Sequence, residues 1–353
     1  MDFGIFNIMQ QRDGSRSAKL IYDEAVEQTI VAEQLGFAKA WYAEHHFSNY
    51  SLCPSPLMMA AHMAGRTKTI RLGTAVIVAP LYTPARLLAE IGMVDTLSNG
   101  RLELGIGTGY QGYEFDRFGV DLAASQEMTG EILDLIELGT TRQAFEYEGR
   151  HFSQPRSSVA VKPIQKPLPI WYAGGNPDHL RMVARNDHTL FISGVLGGLS
   201  RMVKAREKLE EAAGAEGKDP RNVKVAVARL AFVTKWRKDA EHYLDCARYQ
   251  QRLAVSLKNR REKVEDDYLI GEQPYDEELG LDRIAANLPV GDVETCVANM
   301  VRMIRAMKPV HIMIQTQVGD MDNRKSLESM ELWMTEVVPG IMKELGREVQ
   351  SAA

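Results

Sequence analysis

The feature that most constrains the fold of this chain is an alternation of two kinds of segment along nearly its whole length. Short apolar runs, typical of buried strands, alternate with longer segments in which apolar residues recur at spacings of three and four, as on one face of a helix. The pattern predicts eight strands, each followed by a helix. The predicted strands are 3–9, 38–43, 70–78, 101–106, 168–173, 189–193, 223–234 and 310–315.

Eight strand–helix units with almost continuously apolar strands are typical of an α/β protein with a (β/α)8 TIM barrel. An open doubly wound sheet is the alternative, because the number of strands does not show that the sheet closes. The 353 residues contain no linker-like segment, so we expect one barrel domain spanning 1–353. Segment 258–287 is charged and lacks periodicity, and we interpret it as an insertion after the seventh strand.

Composition argues against several classes of function. The formal net charge is −5 and the pI is about 6.0, so neither nucleic acid nor an anionic membrane is indicated as a partner. The three cysteines are scattered and form no CxxC pair, which argues against a disulfide framework and against a zinc site. We therefore expect no metal and a reducing, cytoplasmic location. No apolar run approaches the ~18 residues that span a bilayer.

The second predicted strand ends in an imidazole-rich rim, Glu44-His45-His46. In a barrel, ligand-binding groups lie at the carboxyl ends of the strands. Successive strand residues point to opposite faces, so both imidazoles cannot enter one pocket while the strand continues. This argues against a dinuclear metal site and for one functional imidazole beside a structural one. A pair of ordinary loop histidines is the alternative.

A glycine-rich segment at 107–112 follows the fourth strand and matches the pattern GxGxxG. A dinucleotide fingerprint would lie in a first strand–helix unit and open a helix at once, whereas residues 113–119 do not look like the start of a helix. We favour the interpretation that glycines such as Gly107 allow a flat ligand to approach the backbone closely. A plain tight turn is the alternative.

Residues Gly174-Gly175-Asn176-Pro177 follow the fifth strand and predict the start of a helix. Free backbone N–H groups at such a start, together with the positive end of the helix dipole, bind an anion without a dedicated lysine. We therefore interpret Gly174, Gly175 and Asn176 as a phosphate site, with an ordinary capped helix as the alternative.

A series of short motifs in a specific order resembles the bacterial luciferase family of flavin-dependent monooxygenases along nearly the whole chain. Each motif is weak alone, and their order and spacing carry the resemblance. The motifs are LGF at 35–37, EHHF at 44–47, GTAVIV at 73–78, DTLSNGR at 95–101, LGIG at 104–107, PIWYA at 169–173, VGD at 290–292 and SLESMELW at 326–333.

The resemblance implies that FMN lies with its ring over the strand ends of the barrel. Ala75 and Val76 fall where these proteins carry a non-proline cis peptide beneath the flavin ring. The FMN phosphate would lie near Gly175, Asn176 and His179, in agreement with the interpretation of the helix start.

The resemblance also implies roles for residues around the ring. Thr108 and Tyr110 would lie near the ribityl-phosphate end of the cofactor. His45 matches the imidazole that luciferases use as a catalytic acid and base, a task suited to a group that titrates near neutrality. We expect His46 and Gln315 to shape the substrate pocket, with a merely structural role as the alternative for both.

One departure from the luciferases concerns the end of the fourth strand. Luciferases carry a reactive cysteine followed by an arginine there, and the matching residues are Gly107 and Thr108. We therefore expect a non-luminescent relative. Segment 258–287 lies where the family has a mobile loop after the seventh strand, and we interpret it as a lid over bound flavin.

The function implied is that of a two-component monooxygenase. A separate flavin reductase would supply reduced FMN, which reacts with O2 at C4a to give a peroxide that oxygenates a small organic substrate in a water-excluding mouth. The alternatives are a deazaflavin-dependent oxidoreductase of the same superfamily and a non-catalytic flavin-binding barrel protein. Family likeness also implies a homodimer or another small oligomer, with Met58, Met59 and Met63 as candidates for its face or for the core.

Overall fold

Eight parallel strands close into a ring in the computed structural model, which describes residues 1–194, 198–266, 268–270 and 272–346. The strands are β1 Asp2–Asn7, β2 Lys39–Tyr42, β3 Arg71–Thr74, β4 Leu102–Gly107, β5 Ile170–Ala173, β6 Thr189–Ser193, β7 Lys224–Leu230 and β8 His311–Gln315. Each strand pairs with its neighbours in the chain, and β8 pairs with β1. The prediction of a (β/α)8 TIM barrel is confirmed, and the open sheet is wrong.

Helices surround the ring of strands. They are α1 Ala18–Leu35, α2 Pro56–Ala64, α3 Pro84–Leu97, α4 Gly112–Phe118, α5 Ser125–Thr141, α6 Pro177–Arg185, α7 Leu199–Ala215, α8 Arg237–Lys258, α9 Leu281–Asn287, α10 Val293–Met307, α11 Asn323–Leu332 and α12 Val338–Glu344. None of the helices in the described ranges is both long enough and apolar enough to cross a membrane.

The sequence predicts helix starts at Ser55-Pro56 and Asn176-Pro177 and a helix end at Gly36, and all three are confirmed. The side chains of Ser55 and Asn176 accept hydrogen bonds from backbone N–H groups in the first turns of α2 and α6. Gly36 ends α1 with a φ of 84°, a left-handed conformation that glycine adopts without a steric penalty. These local signals explain why the helix boundaries could be predicted closely.

Two segments differ from the sequence-based expectation in the helices. Residues 113–119 were expected not to begin a helix, but α4 occupies 112–118. Two turns are too few for an apolar periodicity to be recognised. The last helix, which the sequence predicts for 324–345, divides into α11 and α12, joined by a π-helical turn at Trp333–Val337. Pro339 lacks an N–H group, so the regular bonding pattern cannot run through this point.

Three predicted segments are less uniform than the sequence suggests: the strands 70–78 and 223–234, and the insertion. A cis peptide at Ala75–Val76 ends β3, and Ile77–Val78 then pairs with the end of β4. After β7 the chain leaves the barrel, and Phe232–Val233 pairs with Val290–Gly291. Segment 258–287 contains a short antiparallel pair, Val264–Glu265 with Tyr268–Leu269, and α9, while residues 267 and 271 lie outside the described ranges. The sequence also predicts a hairpin at 145–152 that turns at Glu148-Gly149, and the structure has an antiparallel pair there, Phe145–Glu148 with Ser153–Ser157.

The middle of the barrel is filled by aromatic side chains. Trp41 packs edge-on against Trp171 and Phe191, each with ring centroids 4.9 Å apart. The indole N–H of Trp41 donates to Nε2 of His311, and that of Trp171 donates to Glu103 at 2.6 Å. Buried indole N–H groups are thereby satisfied, and the filled middle layer leaves the carboxyl ends of the strands as the side open to a ligand.

Small side chains dominate the layer above these rings. Alternate strand residues point inward. On each strand, the residue two positions beyond the one at the level of Trp41, Trp171 and Phe191 therefore belongs to this upper layer. The upper layer consists of Phe6, Ala43, Ala75, Gly107, Ala173, Ser193, Ala228 and Gln315. Most of them are not fully buried, so the mouth of the barrel is partly open above an apolar floor.

Candidate active site

Two buried glutamates hold the histidine pair at the mouth. Nδ1 of His45 lies 3.0 Å from Oε1 of Glu114, and the same oxygen accepts a hydrogen bond from the backbone N–H of His46 at 2.7 Å. Nε2 of His46 lies 3.0 Å from Oε1 of Glu44. The two imidazoles therefore bind different carboxylates, as expected for one histidine on each side of the chain.

The pairing with Glu114 determines which nitrogen of His45 can exchange a proton. A carboxylate oxygen only accepts, so Nδ1 donates to Glu114 and Nε2 is left as the free nitrogen. The His45 side chain is 12 % exposed, so this nitrogen belongs to a nearly closed part of the mouth. The arrangement resembles other sites in which a carboxylate orients an imidazole that acts as acid or base.

Glu44 links the histidine loop to the segment that follows the cis peptide. Its Oε2 accepts hydrogen bonds from the Tyr82 hydroxyl at 2.9 Å and from the Val78 N–H at 3.1 Å. Burial raises the pKa of Glu44, while the hydrogen bonds from His46, Tyr82 and Val78 oppose that shift. Burial and the neighbouring Glu44 also raise the pKa of Tyr82, so Tyr82 remains a donor. His46 is thus part of a structural network.

Two tyrosines pack against the imidazole of His45. Its ring centroid lies 4.7 Å from that of Tyr50 and 6.1 Å from that of Tyr110. Gln111 donates to the Tyr110 hydroxyl at 3.1 Å, and its buried Oε1 has no partner among the described residues. Burial and the adjacent Tyr110 raise the pKa of Tyr50 well above its ordinary value. This wall of the mouth offers neutral hydroxyl groups and one unused acceptor.

The proposed flavin platform is contiguous in the structure. The cis bond joins Ala75 to Val76, in agreement with the resemblance, and Gly107 lies directly beside Val76. A Cβ atom at Gly107 would lie 2.5 Å from Val76 Cγ2, so the glycine permits a close approach that a larger residue would prevent. Ala173 pairs with Gly107 on the next strand. These small residues fit a flat ring laid over the strand ends.

The proposed phosphate site lies at the start of α6. Asn176 Oδ1 already accepts from the N–H groups of Asp178 at 2.9 Å and His179 at 3.2 Å. A Cβ atom added at Gly175 would meet no atom within 4 Å, so the glycine side of the loop is open. An anion would therefore approach from Gly174 and Gly175, where the helix dipole is also favourable. These residues fit the phosphate of FMN.

His179 faces inward from the same helix. Its Nδ1 lies 2.7 Å from the Tyr172 hydroxyl, and the residue is only 8 % exposed. Burial lowers the pKa of His179, and the neighbouring Asp178 partly opposes this. Burial also raises the pKa of Tyr172. A neutral imidazole and a neutral phenol can orient a ligand by hydrogen bonds but add no charge to it.

Two residues predicted for the site lie apart from the histidines. Gln315 ends β8, two strands from β2 around the ring, and its amide donates to Gln250 at 2.8 Å and to the carbonyl of Gln317 at 3.2 Å. Thr108 is 7 % exposed, and its hydroxyl bonds to the carbonyl of Gly109. Gln315 still belongs to the upper layer of the barrel, with β1 between its strand and the strand that leads to His45.

The insertion contacts the loop after β2, which carries His45. The N–H group of Leu269 donates to Asn49 at 2.9 Å, and the buried Leu269 side chain belongs to the same apolar cluster as Tyr50. Ion pairs add to this contact, since Glu272 and Glu278 of the insertion pair with Arg252 of α8. The interpreted lid is therefore in contact with the wall that holds the imidazole.

Sequence reasoning did not identify the residues that orient the histidines. Glu114 was passed over because the segment around it was not recognised as a helix, although an acid just after a glycine-rich strand end was a usable signal. Tyr50 and Tyr82 lie in loops, and their contacts with His45 and Glu44 depend on how those loops return to the mouth. Such contacts carry no periodicity that a sequence could show.

A family model for luciferase-like monooxygenases matches residues 1–307. Among curated proteins, the chain is 42% identical over 348 residues to y4vJ of Sinorhizobium fredii, a protein described as uncharacterized, covering 98% of this chain and 99% of that protein. It is also 32% identical over 189 residues to the oxygenase component of a flavin-dependent trigonelline monooxygenase from Acinetobacter baylyi, covering 53% and 52% of the two chains.

Solved structures show the same fold. A monooxygenase from Streptomyces bottropensis, RslO1, has a TM-score of 0.83 and 21% identity and covers 96% of this chain and 99% of its own. The oxygenating constituent of 3,6-diketocamphane monooxygenase from Pseudomonas putida, in complex with FMN, has a TM-score of 0.76 and 22% identity, with 96% and 98% covered. At this identity the likeness establishes the architecture alone.

Proposed function

The chain belongs to the family of luciferase-like monooxygenases, and we propose that it is the oxygenase component of a two-component system that uses reduced FMN and O2 to oxygenate a small organic molecule. The observation that carries this proposal is the layer of small residues above a filled aromatic barrel, with His45 held at its edge. Such a partly open mouth suits a flat ring, because a second substrate must reach the exposed face of that ring.

Each proposed contact with the cofactor has a physical reason. Ala75, Val76 and Gly107 would lie under the ring, because their small or displaced side chains leave room for it. Gly174 and Gly175 would receive the phosphate, because backbone and dipole favour an anion there. When bound, reduced flavin supplies the electrons that activate O2 for transfer of one oxygen atom to the substrate.

His45 is the residue we propose for proton transfer. Glu114 accepts from Nδ1 and thereby orients Nε2, the nitrogen that can give or take a proton at the mouth. The tyrosine wall and the insertion would exclude water around this nitrogen. The proposed partner is a separate flavin reductase, as the name of the trigonelline relative, an oxygenase component, supports. A cytoplasmic location fits three buried free cysteines.

The proposal is tested by supplying the purified chain with FMN, a generic NADH-driven flavin reductase and O2. The substrate panel includes trigonelline, alkanals and a diketocamphane, because similar proteins include a trigonelline monooxygenase, alkanal monooxygenases and a 3,6-diketocamphane monooxygenase. We expect one substrate class to gain the mass of one oxygen atom, with O2 consumed in proportion. The same reaction mixture without the reductase is the control.

Two outcomes would contradict the proposal. Tight binding of a reduced deazaflavin with no binding of reduced FMN would indicate a hydride-transferring oxidoreductase. Binding of FMN without loss of any substrate, across a broad panel, would favour a non-catalytic flavin-binding protein. We expect micromolar binding of reduced FMN and weaker binding of the deazaflavin.

We also propose that a second copy of the chain covers the outer surface of α3 and the loop that follows the hairpin. Four apolar side chains are exposed there, Met93 by 56 %, Leu97 by 52 %, Val161 by 46 % and Ile164 by 53 %. Clustered exposed apolar residues are typical of interfaces. Met63 is fully buried in the core, so it does not belong to such a face.

This dimer is testable by sedimentation at micromolar concentration. We expect the wild-type chain to sediment as a dimer and Leu97→Lys/Ile164→Lys as a monomer, because two charges in an apolar interface are not solvated. Met58→Lys, at a residue 73 % exposed on α2, tests whether the face extends to the other predicted methionine. A monomeric wild-type chain would contradict the proposal.

A further inference from the structure

Three side chains of different kinds converge outside the proposed flavin site. His242 and Cys246 lie one turn apart on α8, and Asp320 lies in the loop that follows β8. Cys246 Sγ is 3.1 Å from Asp320 Oδ1 and 3.8 Å from His242 Nε2, and His242 Nε2 is 3.4 Å from Asp320 Oδ1. The three atoms form a nearly equilateral triangle.

The size of this triangle matches the face of a tetrahedral zinc site. Zinc binds sulfur at about 2.3 Å and nitrogen or oxygen at about 2.0–2.1 Å, so neighbouring ligand atoms of a tetrahedron lie roughly 3.3–3.6 Å apart. The observed separations of 3.1, 3.4 and 3.8 Å lie within a few tenths of an ångström of that range. No backbone movement is needed to bring the atoms to a common cation.

We propose that His242, Cys246 and Asp320 form a binding site for Zn²⁺ or a similar borderline divalent cation, with water as the fourth ligand. Thiolate, imidazole and carboxylate together are a donor set that such cations prefer. This site is independent of the proposed flavin chemistry. It also differs from the expectation, drawn from the lack of a CxxC pair, that the chain binds no metal.

The surroundings of the site are compatible with a cation. Asp320 accepts a hydrogen bond from the Cys246 thiol and lies 3.7 Å from the Arg12 guanidinium, which is nearer to Asp245 at 2.7 Å and Glu272 at 2.9 Å. Arg12 is therefore largely neutralised by other carboxylates, and Asp320 keeps lone pairs available. In a loaded site Arg12, 3.6 Å from Cys246 Sγ, would support the thiolate from outside.

The exposure of the ligands provides a route of entry. The side chains of His242 and Asp320 are 45 % and 34 % exposed, whereas Cys246 is buried. A cation can thus arrive from solvent on the imidazole and carboxylate side and meet the sulfur last. Bound there, it would tie α8 to the loop after β8.

The test is a titration of the full-length chain with Co²⁺ and then Zn²⁺ under anaerobic conditions, without flavin or reductase. We expect about one equivalent of Co²⁺ to produce a sulfur-to-metal charge-transfer absorption band that Zn²⁺ abolishes by displacement. His242→Gln and Asp320→Asn are expected to weaken binding by about 10–100-fold or more. Cys246→Ser is expected to remove the band entirely.

Matched variants separate ligand loss from damage to the fold. Cys296→Ser removes another buried cysteine, and His62→Gln removes an exposed histidine on α2, so both are expected to bind as the wild type does. Absence of the band in the wild-type chain would overturn the proposal. So would an unchanged band in Cys246→Ser, or unchanged affinity in His242→Gln, a surface substitution that leaves the core intact.

Discussion

At the scale of single residues, the mouth of the barrel depends on the difference between two adjacent imidazoles. His45 is oriented by Glu114 and packs on Tyr50, whereas His46 is bonded to Glu44 inside a structural network. The sequence had indicated one functional and one structural imidazole from strand alternation. The two side chains do have different partners, but β2 ends at Tyr42, so strand alternation is not the reason for the difference, and the functional role of His45 stays a proposal.

We therefore expect His45→Ala to lower the rate of product formation by about 100-fold or more, the range associated with loss of a general acid or base. The affinity for reduced FMN should change by less than about threefold, since the proposed cofactor contacts lie elsewhere. Turnover with the identified substrate and fluorescence titration with FMN are the two measurements. His62→Ala, on an exposed helix position, is the control, and equal turnover in both variants would exclude His45 from catalysis.

A second residue-scale prediction concerns Gly107, where luciferases have cysteine. A side chain at Gly107 collides with Val76 Cγ2, so Gly107→Cys should lower the free energy of unfolding by about 1–3 kcal/mol, as overpacking does. Adding Val76→Ala should restore most of the loss. Gly175→Ala, which meets no atom within 4 Å, is the matched glycine control. The measurement is a thermal melt of the wild type, Gly107→Cys, Gly107→Cys/Val76→Ala and Gly175→Ala. A Gly107→Cys variant as stable as the wild type would contradict the described contact.

At the scale of elements, the insertion is attached to α8 both by ion pairs and by apolar contacts. Arg252 pairs with Glu278 at 2.5 Å and with Glu272 at 3.2 Å, and its side chain is only 15 % exposed. Leu269 and Ile284 supply buried apolar contacts. The lid interpretation requires that the part of the insertion held by the Arg252 ion pairs opens before the barrel does.

The lid interpretation predicts the behaviour of Arg252→Met, which keeps the apolar stem and removes the charge. We expect faster cleavage within 258–287 by a protease that does not cut at arginine, and more hydrogen peroxide released per reduced FMN consumed. Arg237→Met removes an exposed ion pair from the same helix and should change neither. Reduced FMN should slow cleavage of the wild-type chain. Equal cleavage rates with and without reduced FMN, and in the wild type and Arg252→Met, would contradict the lid interpretation.

At the scale of the whole molecule, buried histidines connect stability to pH. Burial lowers the pKa of His188 to about 4, with the charge of Lys224 adding to the shift and that of Asp187 opposing it. In the unfolded chain the imidazole titrates near its ordinary value of about 6.5. Between these values the unfolded chain binds more protons, so stability is complete above pH 6.5 and is lost as pH falls toward 4.

We expect the melting temperature of the wild-type chain to fall between pH 7 and pH 4.5, and His188→Gln to lose less over the same interval. The difference corresponds to roughly 1–3 kcal/mol, since the group is partly exposed and its charge is partly screened. Calorimetry at a series of pH values is the measurement, with His62→Gln as a control. Parallel pH profiles for the wild type and His188→Gln would show that this imidazole does not contribute.

Sequence by itself determined the number and order of the strands, the helix boundaries at Ser55, Asn176 and Gly36, and the strand ends at which ligand groups collect. These features are local, because a cap or an apolar period is set by residues a few positions apart. They suffice for a (β/α)8 barrel once eight units are counted. The family motifs added the cis bond at Ala75–Val76, which the structure contains.

Only the tertiary structure decided closure of the sheet, the pairing of His45 with Glu114, the small upper layer of the barrel, and the convergence of Cys246 with Asp320. Each of these joins residues tens to hundreds of positions apart. Their proximity results from how strands stagger around a barrel and how loops return over its rim, and neither leaves a periodic trace in the sequence. For that reason the architecture could be predicted from the sequence, whereas the contacts between the site residues could not.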